Sequence, residues 1–319
     1  MHPYSLLAAA KINLYLEILG DRPDGYHELI MVMQSVALTD QIDLHPNGTQ
    51  LFRIHCDHPQ VPTDQSNLAY RAAQLMATEL PQAFAQFGGV DITIHKQIPV
   101  GAGLAGGSAN AAAVLVGLDL LWNLGLTRSE LQALGAHLGS DVPFCIAGGT
   151  LLATGRGEAL APLPDVHLWV VLGKYRSLSV STAWAYQTYR QQFQSSYVWD
   201  LSSLETRRQR VHSGTMINAI AHGDNPQIAQ LLHNDLERVV LPAHPSVLQL
   251  RKVFQEAGAL GTMMSGSGPT VFALATSQTQ AQQIQQQVQS VLPDPDLQLW
   301  VAPTTSTGIQ LLASGTRND

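Results

Sequence analysis

From Ser108 to Leu126 the chain reads SANAAAVLVGLDLLWNLGL, a run of small and aliphatic residues with no continuous polar face at helical spacing. A helix that is apolar nearly all round must be covered on every side. The segment therefore predicts a buried central helix, and the rest of the fold has to be built around it. The residues just ahead of it, PVGAGLAGGS at 99–108, place four glycines in one tight turn that runs directly into the helix. A second helix follows at once in TRSELQALGAHLG, where Thr127 and Glu130 form a capping-box pattern and Gly139 ends the run.

The chain has 319 residues, long enough for two compact domains, with 45% hydrophobic and 13% charged residues, as in folded globular proteins. Lys plus Arg number 17 against 24 Asp plus Glu, a formal net charge of −7, and no basic run is long enough to follow a nucleic-acid backbone. Nucleic acid is excluded as an expected partner. Cys56 and Cys145 form neither a CxxC pair nor a disulfide framework, so buried thiols in a reducing, cytoplasmic compartment are expected. Lys11 and Asn13 interrupt the apolar N-terminus and no basic segment precedes it, so it reads as a strand and not a signal peptide. No run of eighteen apolar residues occurs, and no membrane span is expected.

The first hundred residues are mostly β-rich runs between turns: LLAAAKINLYLEIL, LIMVMQSVAL, DQIDLHP, LFRIHC and VDITIHKQI. One helix interrupts them, SNLAYRAAQLMATEL, with Ser66 at the expected N-cap. Strands return at GGTLLATGRGE and HLWVVLGK, and a looser polar stretch around 192–214 is the candidate link between halves. Helices are then expected over TMINAIAHG, over NPQIAQLLHNDLERVVL as one unit, and over HPSVLQLRKVFQEAG; MMSGSGPTVFALAT, the helix QTQAQQIQQQVQSVL and a closing strand LQLWVAPT follow. Helices and strands mix without sustained βαβ alternation, which is α+β architecture.

The glycine turn satisfies Gly101-x-Gly103-x-x-Gly106, the dinucleotide fingerprint, but the helix leads into another helix, and Asp119, the nearest acid, is mid-helix where a ribose-binding strand end is needed. A Walker A loop would need a lysine before its serine, and Gly107 precedes Ser108. A protein-kinase glycine loop is followed by a strand. What those motifs share survives: residues without Cβ let peptide N–H groups converge on an anion at a helix N-terminus. Two readings stand at this point, a phosphate cradle or a tight turn that packs helix on strand.

PVGAGLAGGSANAAA at 99–113, GSDVPF at 139–144 and SGSGPTVFA at 265–273 resemble, in order, the three signature motifs of the GHMP kinases, the galactokinase, homoserine kinase and mevalonate kinase superfamily. The segment AAAKINLYLEILGDRPDGYHEL resembles one branch of it, whose acceptor is a cytidine-diphosphate-linked methylerythritol of the non-mevalonate isoprenoid pathway. The resemblance spans about residues 8 to 275. It implies a ribosomal-protein-S5-like N-terminal domain over 1–165 and a ferredoxin-like C-terminal domain over 166–319. It also implies phosphoryl transfer from ATP, with Mg²⁺, to the 2-hydroxyl of that polyol, by a monomer or homodimer.

Carried over residue by residue, the resemblance makes Lys11 and Asp141 the catalytic pair, Asp141 as proton acceptor and Lys11 as its charge partner. The ATP phosphates would lie on Pro99, Val100, Gly101, Ala102, Gly103, Leu104, Ala105, Gly106, Gly107, Ser108 and Ala109, with Ser108 near a phosphate oxygen or Mg²⁺. No carboxylate presents itself as a metal ligand, and the metal's protein contacts are left unassigned. Asn13, Tyr26 and His27 would hold the cytosine, the tyrosine by its face and the histidine by hydrogen bonding to the base edge, with Tyr186 as second stacking ring. Gly266, Ser267 and Gly268 would close over the substrate phosphates. Without the resemblance, Asp141 reads as an N-cap or turn carboxylate in GSDVP, Tyr26 and His27 as turn residues, and 265–270 as a plain turn.

Three rivals are open. A mevalonate or homoserine kinase should lack DGYHEL, which is present at 24–29. A nicotinamide-dependent oxidoreductase should retain that cofactor in place of ATP. A non-catalytic sensor of the same fold should have lost Lys11 or Asp141, and both are present.

Overall fold

The structure, a computed structural model, describes residues 2–198, 206 and 214–312. Most of the polar stretch read as a link, 192–214, lies outside the described residues.

Two long strands form the spine of the first half. β1 (Tyr4–Asp21) and β2 (His27–Pro46) pair antiparallel along their length, from Tyr4↔Leu44 to Asp21↔His27. The two runs expected at 29–38 and 40–46 are therefore one strand. The register jumps from Ala9↔Thr39 to Ala10↔Val36, and this bulge interrupts the alternation that made them look separate. Beyond β2 come β3 (Arg53–His55), which pairs parallel with β4 (Val90–His95), and β4 itself, which pairs with the 41–46 half of β2; β5 (Thr150–Gly155) takes the 29–34 half, and β6 (Ala159–Pro162) pairs with β5.

The sheet is covered by the expected central helix, α3 (Gly106–Leu121), with Ala109–Leu115, Leu118 and Leu121 buried. It lies against β1 and β2 and is flanked by α1 (Leu68–Glu79), α4 (Arg128–Leu138) and α5 (Val142–Ala147). Gly117 sets how close it comes: a Cβ there would sit 2.2 Å from a Leu44 methyl. α1 is capped by Asn67, one residue after the expected Ser66. The Asn67 side chain accepts from Ala69 N–H and donates to Pro62 C=O at 2.6 Å, whereas Ser66 is occupied by Asp64. Replacing Asn67 with Ala should lower stability by about 1–2 kcal/mol, since a cap and a partly buried bond go together; urea unfolding with an unchanged m-value checks it. The expected Thr127/Glu130 capping box is present on α4. A short helix not foreseen, α2 (Pro81–Phe87), follows α1.

The second half carries its own sheet, β11 (Leu297–Pro303), β7 (Trp169–Tyr175), β10 (Val271–Ala275) and β9 (Gly261–Met264) in that spatial order, all pairs antiparallel. The helices α10 (Pro245–Glu256) and α11 (Gln278–Val291) pack on it. Helices enclosing an antiparallel sheet with the first strand inside and the last at the edge make the ferredoxin-like arrangement. The Gln-rich α11 buries only Ala281, Ile284 and Val288, so its glutamines form the solvated face.

The 225–241 segment is not one helix. It divides into α8 (Asn225–Gln230), a two-residue strand β8 (His233–Asn234) parallel to β1, and α9 (Glu237–Ala243). Polar side chains break it: Asn234 donates to Met264 C=O and Gly266 C=O, both at 2.8 Å, and Asp235 accepts from Ile18 N–H at 2.8 Å. These bonds outweigh the helical periodicity on either side. Two further α-helices among the described residues are α6 (Thr182–Phe193), which has no counterpart in the sequence reading, and α7 (Thr215–Ala221). The final strand, β12 (Ile309–Leu311), returns to the first sheet and pairs with Leu6–Ala8 of β1. Among the described residues no helix is long and apolar enough to cross a membrane.

Candidate active site

A cavity of about 960 Å³ opens between the two halves. Its floor is the glycine turn. Gly101, Gly103 and Ala105 have positive φ of 59, 73 and 57°, which curls residues 99–105 into a concave strip ending at the N-terminus of α3. No side chain caps that helix, so its first-turn N–H groups are left for a ligand. The strip is anchored from below by Asp40. This fully buried carboxylate accepts from Gln97 N–H at 2.7 Å, Ile98 N–H at 2.8 Å and Asn110 at 2.8 Å, and it pairs with Lys96. The sequence reading missed Asp40, although an acid opening an otherwise apolar strand run, DQIDL, was a visible signal.

The third motif closes on the first. Ser265 Oγ donates to Gly103 C=O at 3.0 Å, and a Cβ on Gly266 would stand 3.4 Å from Asn13 Oδ1 and 3.5 Å from Lys11 Nζ. Asn234 holds this turn through its two carbonyl contacts, and Glu237 holds the strand before it by accepting from Met264 N–H at 2.9 Å. Burial pushes the Glu237 carboxyl above the ordinary carboxylate range, against the pull of Arg251.

Lys11 and Asp141 meet at the centre. Nζ lies 3.7 Å from Asp141 Oδ2 and donates to Asn13 Oδ1 at 2.7 Å; the Lys11 side chain is 6% exposed and that of Asp141 31%. This separates the two readings of Asp141. It stands at the N-cap position of α5, but its side chain makes no capping bond there; the carboxylate faces the lysine instead. Lys11 N–H also donates to Leu104 C=O at 3.1 Å, which locks β1 to the glycine turn. Cys145, beneath Asp141, is buried, and burial with the neighbouring carboxylate pushes its thiol far above the usual range; it is an inert core residue.

At the far end the β1–β2 hairpin brings Tyr26 and His27 opposite Tyr186 of α6. Tyr26 is 52% exposed, and the Arg156 guanidinium lies 5.1 Å from its ring centroid. The rings of His27 and Tyr186 are 4.9 Å apart at 31°. Burial, reinforced by the charges of Asp141 and Asp235, raises the Tyr186 hydroxyl well above its ordinary value, so it is a neutral phenol. Arg156 was not foreseen, nor was Thr182, whose hydroxyl bonds Ser267 Oγ at 2.8 Å and ties α6 to the third motif.

Of the expected site residues, Lys11, Tyr26, His27, Asp141, Tyr186, Gly266, Ser267 and most of 99–108 line the cavity. Four do not. Asn13 lies behind Lys11, Leu104 and Ala109 are buried under the glycine strip, and Gly268 backs onto Met264. Among the described residues no cluster of three His, Cys, Asp or Glu side chains could hold a metal ion.

A strip of peptide donors, a buried lysine facing a carboxylate and a second glycine turn across the cleft define a small-molecule phosphotransferase. Two family models match, that of the GHMP kinases N terminal domain over residues 67–149 and that of the GHMP kinases C terminal over 216–294. The protein named 4-diphosphocytidyl-2-C-methyl-D-erythritol kinase in Trichormus variabilis is 63% identical over 316 residues, 98% of this chain and 100% of its own; that of Nostoc punctiforme is 65% identical over the same shares. A crystal structure of 4-(cytidine 5'-diphospho)-2C-methyl-D-erythritol kinase superposes with a TM-score of 0.72 at 32% identity, over 94% of this chain and 98% of that one. The L. major mevalonate kinase, at 17% identity and a TM-score of 0.70 over 96% of both chains, shares the fold. The chain belongs to the GHMP kinase family, in its 4-diphosphocytidyl-2-C-methyl-D-erythritol kinase branch.

Proposed function

We infer that the chain transfers the γ-phosphoryl group of ATP to the 2-hydroxyl of 4-diphosphocytidyl-2-C-methyl-D-erythritol, giving the 2-phosphate and ADP in the methylerythritol phosphate route to isoprenoids. The observation that carries the reading is that one cavity holds the glycine strip, the Lys11–Asp141 pair and the Tyr26/His27/Tyr186 group. Phosphoryl transfer asks for alignment and charge compensation more than for covalent chemistry. Asp141 accepts the hydroxyl proton as the new P–O bond forms. Lys11, whose Nζ lies 3.7 Å from that carboxylate, faces the negative charge of the transferring oxygens.

Within 99–109 the residues that line the cavity, Val100–Gly103 and Ala105–Ser108, receive the triphosphate on their N–H groups, Pro99 shapes the strip without donating, and the wall of Val61, Pro62 and Leu68 beside them suits an adenine face. Gly266 and Ser267 cover the phosphates from the second domain, 166–319, with Gly268 behind them against Met264, while the first, 1–165, supplies the strip. Tyr26 and Tyr186 take the cytosine by its faces and His27 by its edge, with Asn13 steadying Lys11. For Mg²⁺ the donor set is sparse: among the described residues Asp141 is the one acidic side chain lining the cavity, and the Ser108 hydroxyl stands at the start of α3. That fits an ion held mainly by phosphates and water, with Ser108 the protein contact. Bound there, Mg²⁺ supplies charge neutralisation on the phosphates. Two unpaired cysteines fit a cytoplasmic location.

The test is ADP release with ATP, Mg²⁺ and the cytidine-diphosphate methylerythritol, set beside mevalonate, homoserine and galactose. Turnover of the first alone is expected. Turnover of one of the other three, and none of the first, rejects the branch assignment.

A further inference from the structure

Asp21 closes β1 at the mouth of the cytosine end, where it faces two partners at once. Its Oδ1 lies 3.5 Å from His27 Nε2, and its Oδ2 forms an ion pair with Arg190 Nε at 2.9 Å, across to α6. His27 Nε2 is fully buried and has no hydrogen-bond partner; the carboxylate is the polar group it faces. A carboxylate only accepts, so the ring nitrogen beside it is the one that carries a proton. Burial lowers the His27 pKa, more than the Asp21 charge raises it, and Arg190 adds to the lowering. The ring is therefore neutral with a single proton, and Nδ1, the nitrogen left for the cavity that His27 lines, is a bare acceptor.

We propose that Asp21, held in orientation by Arg190, is a positioning residue that fixes the His27 tautomer and thereby makes this pocket select cytosine over uracil. Cytosine offers an amino N–H at the position where uracil offers a carbonyl oxygen, so an Nδ1 acceptor pairs with the first and opposes the second. The proposal rests on the placement of cytosine at His27 given above. Arg190 matters because it distinguishes the two carboxylate oxygens. In an Asp21→Asn chain the Arg190 N–H would claim the amide oxygen, turning the NH₂ toward His27 Nε2. That nitrogen would then have to accept, the proton would move to Nδ1, and the pocket would present a donor that suits uracil.

The experiment compares kcat/KM of the full chain, with ATP and Mg²⁺, on two acceptors differing only in the base, the cytidine- and the uridine-diphosphate methylerythritol. Exchanging a matched for an opposed hydrogen bond should lower the cytidine-to-uridine ratio of Asp21→Asn by about 10- to 100-fold. The change should fall on the KM of the acceptor and leave the KM for ATP in place. Nitrogen-15 NMR of His27 should move from the Nε2–H to the Nδ1–H tautomer, a readout that a merely structural role would not shift. The pair Asp21→Asn with Arg190→Leu frees the amide to turn its oxygen to His27 and should restore much of the ratio. An Asp21→Asn chain with the wild-type ratio, or with an unmoved tautomer, overturns the role of Asp21. A wild-type chain that does not turn over the cytidine acceptor overturns instead the reading of the site on which the proposal rests.

Discussion

Replacing Asp141 with Asn should lower kcat by about 10²- to 10⁴-fold, the span general-base removal typically costs, while ATP binds with near wild-type affinity. The carboxamide keeps the shape of the side chain but cannot take a proton at neutral pH, and it withdraws the negative charge 3.7 Å from Lys11 Nζ. The glycine strip is fixed by Asp40 and by the Lys11 N–H to Leu104 bond, neither of which involves the Asp141 side chain. Steady-state kinetics with calorimetric ATP titration separates the two quantities. A variant that keeps most of its turnover would remove Asp141 from the proton-acceptor role.

Gly103→Ala should damage the enzyme through a different cause, with kcat/KM for ATP falling by about 10²-fold, as misplacement of roughly 1 Å commonly does. Gly103 has φ of +73°, and a Cβ there would stand 2.2 Å from Ser265 C=O and 3.1 Å from Gly268 N. The two glycine turns would have to part, breaking the Ser265 to Gly103 bond. Gly125→Ala is the control: its φ is +69°, but nothing lies within 4 Å of the added Cβ, so it incurs only the left-handed backbone cost of roughly 1–2 kcal/mol. Loss of activity at 103 with retention at 125 isolates the clash. Equal losses would point to backbone strain alone.

What the sequence made legible follows how local each signal is. The central helix declares itself as an unbroken apolar run, and β1 and the capping box at Thr127 through patterns within a few residues, and all are present, whereas β2 reads as two strands because a bulge breaks its alternation. The three glycine-bearing motifs were legible as motifs, and the fold brings them to one cleft from chain positions far apart: Gly103 of the first bonds Ser265 of the third, and Asp141 of the second faces Lys11, whose N–H bonds Leu104 of the first. α5, VPFCIA, is too short and too uniformly apolar to show a period. α6 buries only Ala185 and Tyr189, so its pattern is faint, and its place comes from Thr182 and Arg190 bonding to distant loops. At 233–235 local periodicity misled outright, since the helix is broken by long-range partners of Asn234 and Asp235. The same distance hid Asp21, Asp40 and Arg156, whose roles lie in what they touch across the fold.

β1 is clamped at three heights, by β12 at Leu6–Ala8, by the Leu104 carbonyl at Lys11 and by β8 at Tyr15 and Leu16. Strand backbone bonded at so many points gives Lys11 a fixed base, from which its ammonium group reaches Asn13 and Asp141. On the opposite bank α6 joins the two halves at the cleft: Ala185 and Tyr189 root it in the core, and Thr182 to Ser267 and Arg190 to Asp21 tie it to the third motif and to the end of β1.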